Sequence, residues 1–165
     1  MKKGVWLFAL LWVLILSGCG GSMNVVEYND SFVSLVKECT DSNQEFFNVY
    51  QSNNSTIDSI SESINKCIEI CESAKERASE IWDFEKDSSL KDGVVDLLSA
   101  EVEYLTKFGN TRRYWNIDDL SQEDKDAYNW VVNDLYESES ILNSKFISLQ
   151  NKQEAFAAKH GLRLE

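Results

Sequence analysis

The chain has 165 residues, 43% of them hydrophobic, and its 28 acidic and 16 basic residues give a formal net charge of −12. This length suits one domain with a real hydrophobic core. The acidic charge argues against a nucleic-acid partner, whose phosphates attract cationic surfaces. The chain contains no proline and only seven glycines, so little interrupts long helices and an all-α fold is predicted.

The first 19 residues contain the three parts of a bacterial export signal. Lys2 and Lys3 precede an apolar run over residues 5–16, and small residues then lead to Cys19. The apolar run is too short for a membrane span, which needs about 20 apolar residues. We therefore predict a signal peptide over residues 1–18, a tether over residues 19–23 and a helical domain over residues 24–165.

The sequence Leu16-Ser17-Gly18-Cys19 resembles the lipobox of bacterial lipoproteins. The resemblance implies cleavage before Cys19, a diacylglyceryl group on its sulfur and an acylated amino terminus, so the membrane becomes a partner through this lipid. Gly20 is not the aspartate that retains lipoproteins in the inner membrane of well-studied Gram-negative bacteria. The resemblance therefore favours the outer membrane, facing the periplasm.

Two helices joined by a tight turn are predicted next. Asn24 is a suitable N-cap, and apolar residues at steps of three and four predict helix 1 from about Val25 to Gln51. Ser55, with Asp58 three residues later, approaches a capping box for helix 2. Helix 2 is predicted to extend to about residue 85, because its seam keeps a coiled-coil spacing through Ile57, Ile60, Ile64, Cys67, Cys71, Ala74, Ala78 and Ile81.

Helix 3 is predicted to follow a cap at residues 87–89, and its apolar face continues to Phe108. Its end is open: residues 109–110 look like a stop, yet residues 111–115 could add another turn and a half.

Helix 4 is predicted from Ser121, whose hydroxyl can cap the helix together with Asp124, to Gly161. Four amphipathic helices predict an antiparallel up-down-up-down four-helix bundle with coiled-coil-like packing. The tail over residues 153–162, Gln-Glu-Ala-Phe-Ala-Ala-Lys-His-Gly-Leu, resembles the carboxyl tails of small helical-bundle lipoproteins of unknown function.

Three cysteines, Cys39, Cys67 and Cys71, lie on predicted helices 1 and 2. Thiols that meet in an oxidising envelope usually pair. A turn near residue 54 places Cys39 opposite residue 69, whereas Cys67 and Cys71 share one face with parallel Cβ directions and pair poorly. We predict the disulfide Cys39–Cys71, with Cys39–Cys67 as the alternative. A further alternative leaves all three as small buried hydrophobic residues, and a zinc site lacks a fourth ligand nearby.

His160 is the only histidine, and we expect it at the exposed end of helix 4, where a cation complements the helix dipole. One histidine excludes the paired Glu-x-x-His ligands of di-metal bundles, and no Cys-x-x-Cys-His haem motif is present. We therefore expect no enzyme activity, metal or cofactor, with acid–base chemistry by carboxylates alone as the alternative. The acids at residues 118–126 lack the spacing of a calcium loop, so we interpret them as complementing the start of helix 4.

Arg112-Arg113-Tyr114-Trp115 is the one basic and aromatic cluster of this acidic chain. Guanidinium groups beside aromatic rings are typical of recognition surfaces. The same arginines could instead form ion pairs with acids that follow them, namely Asp118, Asp119 or Glu123.

Together these features predict a non-catalytic envelope lipoprotein that presents its tip or one helix face to a protein partner. The alternative is a small-molecule-binding bundle that resembles an extracellular sensor domain, with a pocket between helices 3 and 4 near Tyr104, Tyr114, Trp115 and Trp130.

Overall fold

The computed structural model describes residues 24–114 and 121–162. They form α1 (Val25–Gln51), α2 (Ile57–Glu80), α3 (Ser89–Asn110), a 3₁₀ turn (Thr111–Tyr114) and α4 (Gln122–His160). The predicted all-α four-helix bundle is confirmed. The predicted signal peptide and tether lie outside the described residues. Across the described part of the chain, no helix combines the length and the hydropathy that crossing a membrane requires.

Helix α1 has the bounds that the sequence predicts. Its N-cap is a complete capping box: Asn24 Oδ1 accepts from the backbone N–H groups of Val26 (3.0 Å) and Glu27 (2.9 Å), and the Glu27 carboxylate accepts from Asn24 N–H (3.0 Å). These bonds satisfy backbone donors that a helix start otherwise leaves without partners. The predicted apolar face is buried and includes Tyr28, Phe32, Leu35, Val36, Cys39 and Phe46.

The start of α2 corrects the predicted cap by one residue. Thr56, not Ser55, is the N-cap: its hydroxyl accepts from Ser59 N–H (3.1 Å), and Ser59 Oγ accepts from Thr56 N–H (2.9 Å). Ser55 instead donates its hydroxyl to the carbonyl of Val49 (2.6 Å), near the end of α1. The Ser55 hydroxyl, which the sequence analysis assigned to the start of α2, therefore forms a hydrogen bond at the end of α1 instead.

The end of α2 is also earlier than predicted, at Glu80 and not near residue 85. The next residues turn so that Phe84 packs against the rings of Tyr28 and Phe156, at centroid distances of 5.3 and 5.9 Å. A continuing helix could not place Phe84 there while keeping the seam residue Ala78 buried. The apolar residues that follow α2, such as Phe84, therefore make their core contacts from a loop and not from a helix.

The ends of α3 show how side chains and backbone share the capping. Asp87 accepts from Ser89 N–H at 3.0 Å, while Ser88 Oγ donates to the Asp92 carboxylate at 2.7 Å. At the other end, the α-helix stops at Asn110 and the chain continues as one 3₁₀ turn. Each of the two predicted endings is thus correct for part of this segment.

Helix α4 begins and ends as predicted. Ser121 Oγ accepts from Asp124 N–H at 3.1 Å. Gly161 adopts a φ of 68°, and Leu162 N–H donates to the Ala157 carbonyl at 2.8 Å. A left-handed residue followed by this long backward bond is the usual glycine helix stop.

Helix α3 lies at the centre of the packing. It contacts α1, α2 and α4, whereas the backbones of α1 and α4 lie farther apart. Gly93 permits one of these contacts, because a Cβ there would lie only 2.7 Å from Lys152 Cδ and 3.2 Å from Leu149 Cδ1. The glycine therefore leaves room for these α4 side chains, which a larger residue would displace, although glycine is unfavourable within a helix.

Aromatic side chains close the bundle at its two ends. We call the end where α1 begins the proximal end and the opposite one the distal end. The proximal cluster consists of Tyr28, Phe32, Trp82, Phe84 and Phe156. The distal cluster consists of Phe46, Phe47, Tyr50, Tyr104 and Phe108.

Candidate functional site

The predicted disulfide is present in the structure. Cys39 of α1 and Cys71 of α2 are bonded, with their Cα atoms 4.8 Å apart. Cys67 is buried with a free thiol, so the alternative pairing is not the one adopted. The bond links two antiparallel helices near the middle of their contact, where it restricts the unfolded chain.

The free thiol of Cys67 is in an environment that suppresses its reactivity. Burial raises the pKa of Cys67 to about 11. Its Sγ donates to Asn43 Oδ1 at 3.0 Å. Because the thiolate is the nucleophile and metal ligand, Cys67 does not fit either role at neutral pH. Among the residues that the structure describes, no group of three potential ligands is arranged for a metal ion.

Asn43 connects Cys67 to a second, partly buried polar group, Glu101 of α3. The Asn43 amide donates to the Glu101 carboxylate. Burial raises the pKa of Glu101 to about 7, and the hydrogen bond from Asn43 offsets part of that effect. Burial also raises the pKa of Tyr104, with a smaller contribution from the charges of Glu139 and Glu101.

The sequence analysis did not identify Asn43 or Glu101, although a signal was present. Asn43 lies between the apolar positions Cys39 and Phe46, and Glu101 lies between Leu98 and Tyr104. Each fills a core position of its helix at a step of three or four residues. A polar residue at such a position indicates a buried hydrogen bond, and only the packing of α1 against α3 shows that the two form it together.

The predicted basic and aromatic cluster lies at the distal end. Arg112 is exposed in the 3₁₀ turn, and the Tyr114 ring meets Tyr128 edge to face at 5.2 Å. The side chain of Arg113 and all of Trp115 lie outside the described residues, as do Asp118 and Asp119. The pairing of the arginines with these acids is thus untested, and none of the ion pairs in the described residues involves Arg112.

The predicted pocket near Tyr104 and Trp130 is not assembled by these two side chains. Tyr104 is buried between helices, whereas Trp130 is 69% exposed on the outside of α4. A cavity elsewhere, between α1, α3 and α4, has a volume of about 10 Å³ and is lined by Asn29, Phe32, Val36, Val94, Leu149 and Gln153 among others. That is about the space of one water molecule.

His160 lies in the last turn of α4 as predicted, but it is half-buried and not fully exposed. Its ring lies 4.5 Å from Phe156 and 5.2 Å from Phe84. The end of α4 lies beside the loop after α2, and the sequence of α4 alone could not predict this contact. His160 is at the proximal end, three helical turns from the level of Cys39, so the two do not form a joint site.

One surface stands apart from the rest of this acidic molecule. Eleven residues of α4 between positions 129 and 151 are exposed, and only Glu137 among them is charged; they are Asn129, Trp130, Asn133, Tyr136, Glu137, Ser140, Ile141, Ser144, Ile147, Gln150 and Asn151. At 100° per residue, they occupy one side of the helix. We call this surface the low-charge face of α4.

Helix α2 provides the comparison. It also exposes eleven residues, of which eight are charged: Asp58, Glu62, Lys66, Glu69, Glu72, Glu76, Arg77 and Glu80. On the low-charge face of α4, by contrast, Trp130, Tyr136 and Ile147 are each more than half exposed. Depletion of charge together with large aromatic and aliphatic side chains is typical of the centre of a protein–protein interface.

No protein-family model, no curated protein and no solved structure matches the chain. The functional argument therefore rests on the sequence and the structure.

We predict that peptide mapping without reduction will recover Cys39 linked to Cys71 and Cys67 as a free thiol. Because Cys67 is buried and its pKa is raised to about 11, iodoacetamide at pH 8 should modify it only after unfolding. Replacing Cys39 and Cys71 by alanine should lower the free energy of unfolding by about 3 kcal/mol. Recovery of a Cys39–Cys67 peptide, or of Cys39 and Cys71 as free thiols, would contradict this arrangement.

We predict that Glu101→Gln will remove a pH dependence of stability. The folded protein binds the Glu101 proton more tightly than the unfolded chain, so the free energy of unfolding should fall as pH rises from about 4.5 to about 7. The difference amounts to about 3 kcal/mol. Urea unfolding from pH 4.5 to 8 should show a flatter profile for the variant, while Glu72→Gln on the exposed side of α2 should keep the parent slope.

Proposed function

We propose that this protein is a non-catalytic bacterial envelope lipoprotein, anchored through Cys19, that presents the low-charge face of α4 to a protein partner. The observation that carries the partner-binding role is the contrast between residues 129–151 of α4, which have one charged residue among eleven exposed positions, and α2, which has eight among eleven. A surface selected only for solubility in a chain of net charge −12 would not concentrate uncharged and large apolar residues on one helix side.

The anchor rests on the basic start, the apolar run and the lipobox of residues 1–19. By the same resemblance, Gly20 favours the outer membrane, facing the periplasm, if the source has two membranes. The disulfide Cys39–Cys71 agrees with such an address, because structural disulfides persist in oxidising compartments.

The posture follows from the direction of α1. The chain enters the bundle at Asn24, so an anchor at Cys19 places the proximal end towards the membrane. The 27 residues of α1 span about 40 Å, which separates the distal end from the membrane by about that distance. The low-charge face then extends along the side of an upright module, with Trp130 near its distal part.

Within the part of the chain that the structure describes, the filled interior between α1, α3 and α4 supports this role over the ligand-binding alternative. The cavity between α1, α3 and α4 has the volume of one water molecule, and Tyr104 and Trp130 do not enclose a pocket together. A drug-sized ligand needs a cavity of roughly 300 Å³ or more. Trp130, Tyr136 and Ile147 on the outside of α4 are available for recognition instead.

We predict that mass spectrometry of the protein purified from bacterial membranes will find residues 1–18 removed and Cys19 triply or doubly acylated. The Cys19→Ala variant should remain as the full-length precursor, because it has no sulfur to accept the diacylglyceryl group. An intact first methionine, or an unmodified Cys19, in the parent protein would refute the anchor.

We predict that Trp130→Ser with Ile147→Ser will reduce partner crosslinking in native cells at least tenfold. Truncating a large side chain at the centre of an interface costs about 1–2 kcal/mol, whereas exposed positions contribute little to folding. The folded fraction should therefore stay unchanged, as measured by thermal unfolding.

Two further variants make this test specific. Glu69→Ser with Glu76→Ser changes the exposed side of α2 and should leave crosslinking unaltered. Arg112→Ala with Arg113→Ala tests the tip as the contact site. Loss of capture in the arginine variant but not in the α4 variant would transfer the partner site from the low-charge face to the tip.

A further inference from the structure

The loop between α2 and α3 exposes a tryptophan at the proximal end. We call residues 81–88 the Trp82 loop. Trp82 is 51% exposed, whereas its neighbour Phe84 is half-buried and packs on Tyr28 and Phe156. The ring centroids of Trp82 and Phe84 are 6.0 Å apart and the rings are stacked. One face of the Trp82 ring therefore contacts Phe84, and the rest of the ring faces outwards.

The backbone holds this loop in a costly conformation. Glu85 and Lys86 have φ angles of 52° and 66°, in the left-handed region that favours glycine. Asp87 N–H donates to the Phe84 carbonyl at 2.9 Å and closes the turn. Each non-glycine residue in this region costs roughly 1 kcal/mol, so the surrounding contacts must maintain the turn.

Ion pairs fasten the loop on both sides. Lys91 of α3 pairs with Asp83, and Lys159 of α4 pairs with Asp87 at 2.8 Å. The three acids of the loop region, Asp83, Glu85 and Asp87, are thus balanced by three lysines, counting Lys86. Glu80 and Asp92, at the two ends of the loop, add two negative charges to this balanced set.

The exposed ring lies beside the point where the chain enters the bundle. The rings of Trp82 and Tyr28 are 6.1 Å apart, and Tyr28 is one helical turn after Asn24. Cys19 precedes Asn24 by five residues, which reach at most about 18 Å when extended. Lipid attached to Cys19 would therefore leave the bundle within roughly 35 Å of the Trp82 ring.

We propose that the Trp82 loop docks on the lipid bilayer, with the Trp82 ring in the headgroup layer. This inference rests on the proposed anchor at Cys19 and adds a second contact to it. The indole ring suits this layer because it combines a large apolar body with one N–H donor. The ion pairs of Asp83 and Asp87 reduce the repulsion that unpaired acids of the loop would meet at anionic lipids. The two contacts together fix the tilt of the bundle, which a short tether alone would leave variable.

The test uses the full chain processed in bacteria and reconstituted into vesicles of phosphatidylethanolamine and phosphatidylglycerol with brominated acyl chains. The processed protein contains three tryptophans, Trp82, Trp115 and Trp130, since Trp6 and Trp12 precede Cys19. Bromine quenches only indoles that reach the bilayer. We expect quenching in the parent, loss of most of it in Trp82→Phe, and its retention in the matched variant Trp130→Phe, which changes the most exposed tryptophan of α4.

The outcomes separate this inference from the proposed anchor. If the parent floats with the vesicles but Trp82→Phe is quenched as strongly as the parent, the docking of the loop is wrong and the anchor stands. If the parent does not float and Cys19 is unmodified, both are wrong. A third outcome is the absence of lipid quenching in the processed protein, together with protection of the Trp82 ring from solvent in the Cys19→Ala precursor. In that case the apolar run of residues 5–16 covers the Trp82 ring, which also overturns bilayer docking.

Discussion

The burial of α3 among the other three helices is the interaction on which the rest of the structure depends. Leu90, Val94, Leu98 and Leu105 are almost fully buried, and the hydrophobic effect of such side chains is about 1.5–3 kcal/mol each. Because α1 packs mainly against α2, and α4 against α3, the contact between α2 and α3 connects the two halves of the bundle. Gly93 is part of the same arrangement, since it lets the Lys152 and Leu149 side chains of α4 approach.

The polar side chains of Asn43 and Glu101 are the least favourable part of the helix packing. Asn43 bonds to both Cys67 and Glu101, so one amide joins α1 to α2 and to α3. A buried carboxyl without a cation partner is unfavourable when ionised, and its pKa is raised accordingly. The pKa of the neighbouring Cys67 thiol is raised as well. Because its hydrogen bonds join three helices, the layer offers a means of specifying helix register.

The surface of the module differs from side to side, and this asymmetry matches the proposed posture. Charged residues cover α2 and keep that side solvated. The side of α4 between residues 129 and 151 lacks charge and exposes Trp130, Tyr136 and Ile147. The Trp82 loop adds an exposed indole at the proximal end. A lipid-anchored protein needs one surface for its membrane and another for its partner, and these two apolar regions are at different places on the bundle.

The sequence by itself determined the number and type of the elements, the bounds of α1, and the caps at Asn24, Ser121 and Gly161. For the cysteines it favoured Cys39–Cys71 and left Cys39–Cys67 open. These features depend on local hydrogen bonds or on the regular spacing of residues along a helix, both of which are visible in one dimension. Only the tertiary structure decided that α2 stops at Glu80, because the turn that buries Phe84 is stabilised by Tyr28 and Phe156 from other helices. It also decided that Asn43 meets Glu101, since that bond joins residues 58 positions apart. Where a side chain finds its partner on a different helix, the period of its own helix can indicate only that it points inwards.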